Sequence, residues 1–314
     1  MRGIFSVLAA AATFVGVVLA QPGPGTVTGD TRAHDPTLCR DTSGRYFLFS
    51  TAPGIEIRTS TDRIAWTLLG KVFPNGSATW TDTFTGTRDG NLWAPECLYL
   101  NGVFHLWYAA SSFGSSRSAI FYARSNTGQP GSFSNQGIVH ETNANSNYNA
   151  IDPDVFVDGN TWVMTFGSFW SGLKSINLNP STGKPSSTTL TSVASRPNNS
   201  GAVEAPALIK QGSFHYLFTS WDSCCQGTGS TYNIRVGRSS SGPRGPFVDK
   251  NGVSLMNGGG TLVLQKHGNI VGPGGADVIF DTDGPLLVYH YYTSSGHFLG
   301  INRLSFDGGW PAVV

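Results

Sequence analysis

The chain is poor in charged residues and in cysteine, and it has no long apolar run beyond its first twenty residues. Only 12% of its 314 residues are charged, and the formal net charge is +1. Such a composition, with many aromatic residues, excludes a disordered chain. The near-zero net charge argues against nucleic acid or an anionic membrane surface as a partner. An uncharged substrate is the better match.

The first twenty residues predict a secretory signal peptide. Arg2 supplies a positive start, an apolar stretch runs from Ile4 to Leu19, and small residues lead up to a cleavage site before Gln21. The alternative is a membrane anchor, but the run is short for a span and lacks a stop-transfer flank. We therefore predict a secreted, extracellular protein whose mature part is residues 21–314.

The four cysteines are Cys39, Cys97, Cys224 and Cys225. In an oxidising compartment they can form disulfides, and four cysteines allow three pairings, among which the sequence does not choose. A bond between the adjacent Cys224 and Cys225 would need a strained eight-membered ring. No histidine partner for a nucleophilic cysteine is evident, so all four are interpreted as structural. Two sequons, Asn75-Gly76-Ser77 and Asn198-Asn199-Ser200, predict glycosylation of a secreted chain.

What the chain does contain is a repeat. Each of five units reads as an acid, a short apolar strand, a turn with glycine, and a strand of alternating aromatic residues, and a third strand often follows. The acids that open the units are Asp35, Glu96, Asp152, Glu204 and Asp277. Repeats of this size with three or four strands are typical of β-propeller blades. The sequence therefore predicts an all-β protein, a five-bladed β-propeller in a single domain. A β-sandwich is the alternative, but it would not explain the recurring acid.

Acids at the heads of innermost strands would meet at one mouth of the propeller. A single Asp-Pro is ordinary turn chemistry, but acids at equivalent places in several blades favour a function. Glycoside hydrolysis needs one protonated and one ionised carboxyl group, and a third carboxylate can raise the pKa of the acid. We expect Glu204, between Val203 and Ala205, to be partly desolvated and protonated, and Asp35, after His34, to position a water.

Seven motifs in this chain resemble those of the secreted endo-1,5-α-L-arabinanases of glycoside hydrolase family 43. They are "HDPTL", "WAPE", "NAIDPDVFVD" with "FGSFWSG", "VEAPALI", "SWDSCCQGTGSTYNIRVGRS", "GGGTLVL" and "GPGGADV". The resemblance covers about residues 30–312. It implies a five-bladed propeller that inverts the anomeric carbon.

The resemblance also implies roles for individual residues. Asp35 would be the general base, Glu204 the general acid, and Asp152 the residue that orients the acid and tunes its pKa. The positions implied to contact substrate are Phe113, Gly114, Asn149, Ser168, Phe169 and Trp170. His290 would be the only direct protein ligand of a calcium-like ion at the axis, with water completing the shell. No organic cofactor is implied.

Several of these positions have plainer interpretations. His290 could be a packed, hydrogen-bonded histidine without an ion, because a lone His with water is an unusual calcium site. Trp170 could belong to the core, and Trp93 could line the cleft. Glu96 could contact substrate or form a scaffold hydrogen bond, since buried acids are seldom unpaired.

The leading functional hypothesis is a monomeric, secreted endo-hydrolase of α-1,5-arabinan, the side chains of pectin. An exo-acting arabinofuranosidase or β-xylosidase could use the same three acids, but its cleft would be closed at one end, often by an added domain for which the chain leaves no room. A non-catalytic carbohydrate-binding propeller is the third hypothesis. It predicts similar motifs in every blade, whereas the acids here differ in type and neighbours.

Overall fold

The structure is a computed structural model, and it describes residues 21–314, which form five β-sheets arranged as the blades of a propeller. The predicted all-β, five-bladed architecture is confirmed. The predicted signal peptide lies outside the described residues. None of the helices in the described part of the chain is long and apolar enough to cross a membrane.

The strands follow in chain order and supply the blades one after another. They are β1 (Thr28–Gly29), β2 (Thr37–Arg40), β3 (Tyr46–Ser50), β4 (Ala52–Pro53), β5 (Glu56–Ser60), β6 (Ala65–Lys71), β7 (Asn91–Leu100), β8 (Val103–Ala110), β9 (Ser118–Ser125), β10 (Ser134–Thr142), β11 (Asp154–Asp158), β12 (Thr161–Phe166), β13 (Leu173–Asn179), β14 (Lys184–Pro185), β15 (Thr191–Ala194), β16 (Val203–Gln211), β17 (Phe214–Trp221), β18 (Asn233–Ser239), β19 (Thr261–Leu264), β20 (Val271–Asp281), β21 (Gly284–Thr293), β22 (Gly296–Ser305) and β23 (Ala312–Val313). Within residues 21–314, the helical segments are one short helix, α1 (Asp82–Thr85), and four 3₁₀ turns, Pro74–Gly76, Thr79–Thr81, Gly227–Gly229 and Leu255–Asn257.

The sheet order shows how each blade is built. Blade one is β1-β6-β5-β3-β2, blade two is β10-β9-β8-β7-β4, blade three is β11-β12-β13 with β14 and β15, blade four is β16-β17-β18-β19, and blade five is β20-β21-β22-β23. The first long strand of each blade is innermost, and the next strand pairs with it antiparallel.

The sequence explains these hairpins locally. The second strands are buried on both faces, as in β3, where all five residues of Tyr46–Ser50 are buried. Aromatic and β-branched residues suit such a doubly covered strand. Between β7 and β8 the two-residue loop Asn101-Gly102 has φ angles of 52° and 83°, the left-handed pair that a tight hairpin turn requires. These local signals are why five blades could be counted in the sequence.

Blades one and five are far apart in the chain, and side-chain and backbone contacts close the ring between them. Leu38 and Trp66 of blade one share an apolar cluster with Val288 of blade five. Arg63 binds Asp281 at 2.6 Å, and its second nitrogen binds Asp283 at the same distance. We call this junction the blade one–five seam. Between blades one and two, by contrast, a disulfide joins β2 to β7.

Candidate active site

Five residues with left-handed backbone surround the propeller axis at the heads of the innermost strands. They are Asp35, Ala94, Asp152, Ala205 and Gly275, with φ angles of 46°, 39°, 53°, 48° and 55°. In the first four blades a proline follows, and in the fifth an alanine. Together with their neighbours these residues line a small axial cavity of about 30 Å³. The blades can therefore be aligned on this left-handed residue, which precedes a proline in the first four of them.

The prediction that the five acids share one position in the repeat was wrong. Asp35 and Asp152 occupy the left-handed position, Glu204 stands one residue before it, and Glu96 and Asp277 stand two residues after it. The pairing of β16 with β17 shifts between Glu204 and Ala207. Since successive strand residues alternate between faces, a shift of one residue redirects a side chain. In the first four blades, the equivalent positions are the residues that precede proline, whether or not they are acids.

Asp35, Asp152 and Glu204 nevertheless reach the same place. All three line a large cleft of about 1240 Å³ at one mouth of the propeller. The backbone N–H of Ala205 donates to Asp152 Oδ2 at 3.1 Å, which ties the Asp152 carboxyl to the residue that follows Glu204. Burial raises the Asp152 pKa well above its ordinary value, and the charges of Glu204 and Asp35 raise it further. The three carboxyl groups are thus close enough to influence one another's ionisation.

Asp35 is held in its ionised form. Burial would raise its pKa, but the charge of His34 and hydrogen bonds with His290 and His34 outweigh burial and hold the pKa well below its usual range. Its Oδ2 lies 2.9 Å from His34 Nδ1 and accepts a hydrogen bond from Thr51 Oγ1 at 2.8 Å. A carboxylate with such partners is a base that remains ionised in mildly acidic solution.

Glu204 has the opposite tendency. Burial raises its pKa, and the nearby charge of Asp35 adds to the rise, against hydrogen bonds from Ser168 and Tyr232 that lower it. Ser168 Oγ lies 2.5 Å from Glu204 Oε2, and the Tyr232 hydroxyl donates to Oε1. The sequence reading missed Tyr232, which lies in a different loop and contacts Glu204 only in the folded chain. Two neighbouring carboxyls pushed toward opposite protonation states are what acid–base catalysis requires.

His34 links Asp35 to blade five. Its Nε2 lies 2.8 Å from the Tyr292 hydroxyl, and its ring stacks on His290 with centroids 4.0 Å apart. The Tyr292 oxygen in turn accepts the backbone N–H of Cys225 at 3.0 Å. Tyr292 was not singled out in the sequence, because nothing in the chain shows that a residue of β21 lies beside residue 34.

The six positions expected to contact substrate all line the large cleft. They are Phe113, Gly114, Asn149, Ser168, Phe169 and Trp170, and Trp93 lines the cleft as well. Phe113 is 87% exposed and Trp170 is 43% exposed, so Trp170 is no core residue. Asn149 is buried, and its Oδ1 accepts a hydrogen bond from Ser118 Oγ at 2.5 Å. The cleft therefore offers apolar surfaces together with fixed polar groups around the three acids.

Glu96 belongs to a second, deeper layer of acids. It lines the small axial cavity together with Asp154 and Asp277. Thr37 Oγ1 lies 3.2 Å from Glu96 Oε2 and 3.0 Å from Asp277 Oδ2. A hydroxyl has one proton, so one of these two contacts needs a protonated carboxyl. Burial, followed by the charges of Asp277 and Asp154, raises the Glu96 pKa well above its usual value, which makes Glu96 that partner and part of the scaffold.

Replacing Asp277 by asparagine should flatten the dependence of stability on pH. Burial raises the Asp277 pKa to about 6, against hydrogen bonds from Leu38 and Thr37. The folded state thus binds this proton more tightly than the unfolded chain, so the contribution is full below about pH 4 and is lost as pH rises through about 6. Between pH 4 and 7, the unfolding free energy of the Asp277→Asn variant should therefore fall by about 2 kcal/mol less than that of the wild type.

Denaturant titrations at a series of pH values measure this difference. The exposed Asp307→Asn is the matched control, and it should follow the wild-type curve. An unchanged slope in Asp277→Asn would show that the Asp277 proton is not retained on folding.

His290 is fully buried beside Asp35. Asp35 Oδ1 and the Asp35 backbone nitrogen lie 3.3 Å and 3.1 Å from its Nδ1, whereas its Nε2 has no hydrogen-bond partner among residues 21–314. Burial and then the charge of His34 lower its pKa to about 4, so the ring is neutral. When Nδ1 accepts the Asp35 N–H, the ring proton is on Nε2; when Nδ1 instead carries the proton toward Asp35 Oδ1, Nε2 presents a lone pair. Because Nε2 has no partner, His290 is not a self-satisfied core histidine, and its Nδ1-protonated tautomer would fit a cation ligand.

The cysteines form two disulfides, Cys39–Cys97 and Cys224–Cys225, and no cysteine in the described residues is free. The Cys224–Cys225 bond is the pairing for which the sequence predicted a strained eight-membered ring. Cys39 and Cys97 are buried between blades, whereas Cys224 and Cys225 line the large cleft.

Comparisons with known proteins agree with this geometry. The family model for Glycosyl hydrolases family 43 matches residues 26–311. The extracellular endo-alpha-(1->5)-L-arabinanase 1 of Bacillus subtilis is 40% identical, over 89% of this chain and 87% of its own length. A GH43 endo-arabinanase structure from Bacillus licheniformis has a TM-score of 0.85 at 38% identity, covering 91% of this chain and 99% of that one.

An exo-1,5-alpha-L-arabinanase from a bovine ruminal metagenomic library has a TM-score of 0.84 at 32% identity, covering 90% of this chain and 97% of that one. The same propeller thus carries both endo- and exo-acting enzymes. With a family model spanning nearly all of the described residues and a relative at 40% identity, the chain belongs to glycosyl hydrolases family 43.

Proposed function

We propose that the protein is a secreted endo-hydrolase of α-1,5-linked L-arabinan that inverts the anomeric configuration. The observation that carries the proposal is the pair of carboxyl groups in one cleft with opposite pKa shifts, Asp35 downward and Glu204 upward. The endo-acting relatives that match this chain supply the substrate class.

Each carboxyl has a defined part in the reaction. The ionised Asp35 takes a proton from a water molecule as that water attacks the anomeric carbon. Glu204 donates its proton to the glycosidic oxygen, which leaves as the hydroxyl of the departing chain. Asp152 accepts the Ala205 N–H and so orients the backbone next to Glu204, and because the two carboxyls lie close together, each would raise the pKa of the other. Exchange with bulk water then restores both protonation states.

The size and lining of the cleft favour action within a chain. Its volume of about 1240 Å³ exceeds the range of roughly 300–1,000 Å³ that is typical for small-molecule pockets. Residues from all five blades contribute to the lining. Such a cleft can hold several sugar units at once, whereas an exo-acting enzyme needs only the terminal ones.

Product analysis tests the proposal. On linear arabinan, short oligosaccharides should accumulate early, and proton NMR should show the β-anomer as the first new reducing end. Arabinose as the only early product would favour the exo-acting alternative, and a first-formed α-anomer would exclude inversion. Tight binding without cleavage would favour the carbohydrate-binding propeller.

Removing the Trp170 side chain should weaken substrate binding more than catalysis. Trp170 and the more exposed Phe113 are large apolar surfaces in a cleft otherwise lined by many polar groups. We expect Trp170→Ala to raise KM for linear arabinan about ten-fold with kcat within about two-fold, because the lost contact serves ground state and transition state alike. Steady-state kinetics measure both constants. Phe280→Ala, which removes an aromatic side chain that is 50% exposed away from the cleft, is the matched control. A KM unchanged in Trp170→Ala would exclude Trp170 from substrate contact.

The proposal includes one calcium-like cation on the axis, with His290 Nε2 as its direct protein ligand and water completing the shell. The buried nitrogen without a partner supports it. Such an ion would place a positive charge close to Asp35, which contacts His290, and would favour its ionised form. Elemental analysis of the purified protein reads the ion directly.

Secretion and glycosylation are part of the same proposal. The leader-like pattern of residues 1–20 and the extracellular relative support secretion. Asn75 and Asn198 are both exposed, as an N-linked glycan requires. The protein is proposed to act as a monomer on a polysaccharide, with no nucleic acid or membrane partner.

A further inference from the structure

The disulfide between Cys224 and Cys225 lies at the active site. Both residues line the large cleft, and Cys225 is exposed. Cys225 Sγ lies 3.9 Å from Nε2 of His34, the histidine that bonds Asp35. A purely structural cross-link gains nothing from this position, because the bond joins neighbours in the chain and closes no loop of any length.

The loop that carries the disulfide is held firmly in place. Thr231 N–H donates to Ser223 O at 2.9 Å, and Gln226 N–H donates to Ser230 Oγ at 3.0 Å. On the far side the Cys225 N–H donates to the Tyr292 hydroxyl. Cys225 has a φ of 69°, a conformation that is rare for a residue with a side chain, and the surrounding bonds maintain it. Such pre-organisation is a common property of ligand-contacting surfaces.

We propose that the Cys224–Cys225 disulfide is a substrate-contacting surface, against which a sugar ring of the bound chain packs beside Asp35. The inference rests on the proposed function, and it assigns to these cysteines a role in binding arabinan beyond cross-linking.

The chemistry of the surface suits a furanose ring. A disulfide has no proton to donate and is polarizable, so it behaves as a small apolar patch toward the C–H groups of a sugar. Ser223 and Gln226 line the cleft on either side of the two cysteines in the chain, and their polar groups can face the sugar hydroxyls. An apolar patch flanked by hydrogen-bonding groups is the usual construction of a site for a neutral, hydroxyl-rich ligand. The cleft then has apolar contacts near the base as well as at Trp170 and Phe113.

Protection from reduction tests the contact directly. The Glu204→Gln variant, which should bind α-1,5-arabinohexaose without cutting it, is treated with tris(carboxyethyl)phosphine, and freed thiols are alkylated and counted by mass spectrometry. We expect saturating arabinohexaose to slow reduction of Cys224–Cys225 about five-fold or more. The buried Cys39–Cys97 disulfide is the internal control, since its rate should not depend on the sugar. Equal rates with and without the sugar would overturn the proposal.

Binding measurements on variants give an independent test. By calorimetry, the Cys224→Ser/Cys225→Ser variant in the Glu204→Gln background should bind arabinohexaose about five-fold more weakly, because the apolar contact is lost. Thr228→Ala, an exposed change in the same loop away from the cleft, should bind as the parent does.

The outcomes separate the possibilities. Unchanged affinity in the serine pair would overturn the proposal. If the parent itself does not bind arabinohexaose, the proposed function fails instead. Rapid cleavage of the hexaose by Glu204→Gln would contradict the role of Glu204, and not that of the disulfide.

Discussion

The Glu204→Gln variant should lose kcat on linear arabinan by about a thousand-fold, the upper part of the range for removing a general acid. A sugar alkoxide is a poor leaving group, so bond cleavage depends on the proton that only the acid can supply. Glutamine has the same shape, its oxygen can accept from one of the Ser168 and Tyr232 hydroxyls, and its NH2 can donate to the other, so the fold and KM should change little. Steady-state kinetics, together with the melting temperature, measure the effect.

Two controls define this result. Glu141→Gln makes the same chemical change at an exposed position of β10, and it should leave kcat unchanged. An aryl arabinofuranoside with a nitrophenolate leaving group needs little protonation, so Glu204→Gln should lose far less activity on it. Wild-type activity should also fall as pH rises through the raised pKa of Glu204, and this alkaline limb should be absent in the variant. Retention of more than a tenth of kcat on arabinan would remove Glu204 from its role.

The second large effect is expected at Asp35. Asp35→Asn should lower kcat by about a thousand-fold, since an amide cannot accept the proton of the attacking water. Asparagine is the informative replacement because it tolerates the φ of 46° that Asp35 adopts, so a loss of activity would reflect chemistry and not backbone strain.

Unlike Glu204→Gln, the Asp35→Asn variant should be equally poor on substrates with good and bad leaving groups, because the missing step is activation of water. The exposed Asp307→Asn serves as the matched control and should keep full activity. If Asp35→Asn regained activity on the nitrophenolate substrate, Asp35 would act in protonation of the leaving group. That result would contradict its assignment as the base.

The sequence allowed the five-bladed architecture to be predicted because it depends on short-range patterns, and the three acids that it singled out do line one cleft. Alternating aromatic strands and turns such as Asn101-Gly102 mark the hairpins within a few residues. The X-Pro dipeptides mark the heads of the inner strands, and family resemblance identified Asp35, Asp152 and Glu204. Glu96, Glu204 and Asp277 were assigned the wrong register because the irregularities in strand pairing beside them leave no clear trace in the sequence.

The partners of the acids could not be predicted for a different reason. Tyr232 lies 28 residues from Glu204, and Tyr292 lies 258 residues from His34, so each contact exists only once separate loops or blades meet. The disulfide pairing likewise depends on which cysteines lie within bonding distance after folding. Cys224 forms its disulfide with the adjacent Cys225, although the eight-membered ring that this bond closes argued against that pairing from the sequence.

Asp35, the proposed base, lies across the blade one–five seam from two of the residues that support it. Asp35 and His34 belong to the first blade, and His290 and Tyr292 belong to the last, and within the described chain no linker or disulfide joins those two blades. A small separation of blades one and five would thus remove the contacts of His34 and Asp35 with blade five, and with them the activity, while every sheet remained intact. Catalytic activity should therefore depend on closure of the ring. Under heat or denaturant, we expect the enzyme to lose activity before its β-sheets unfold.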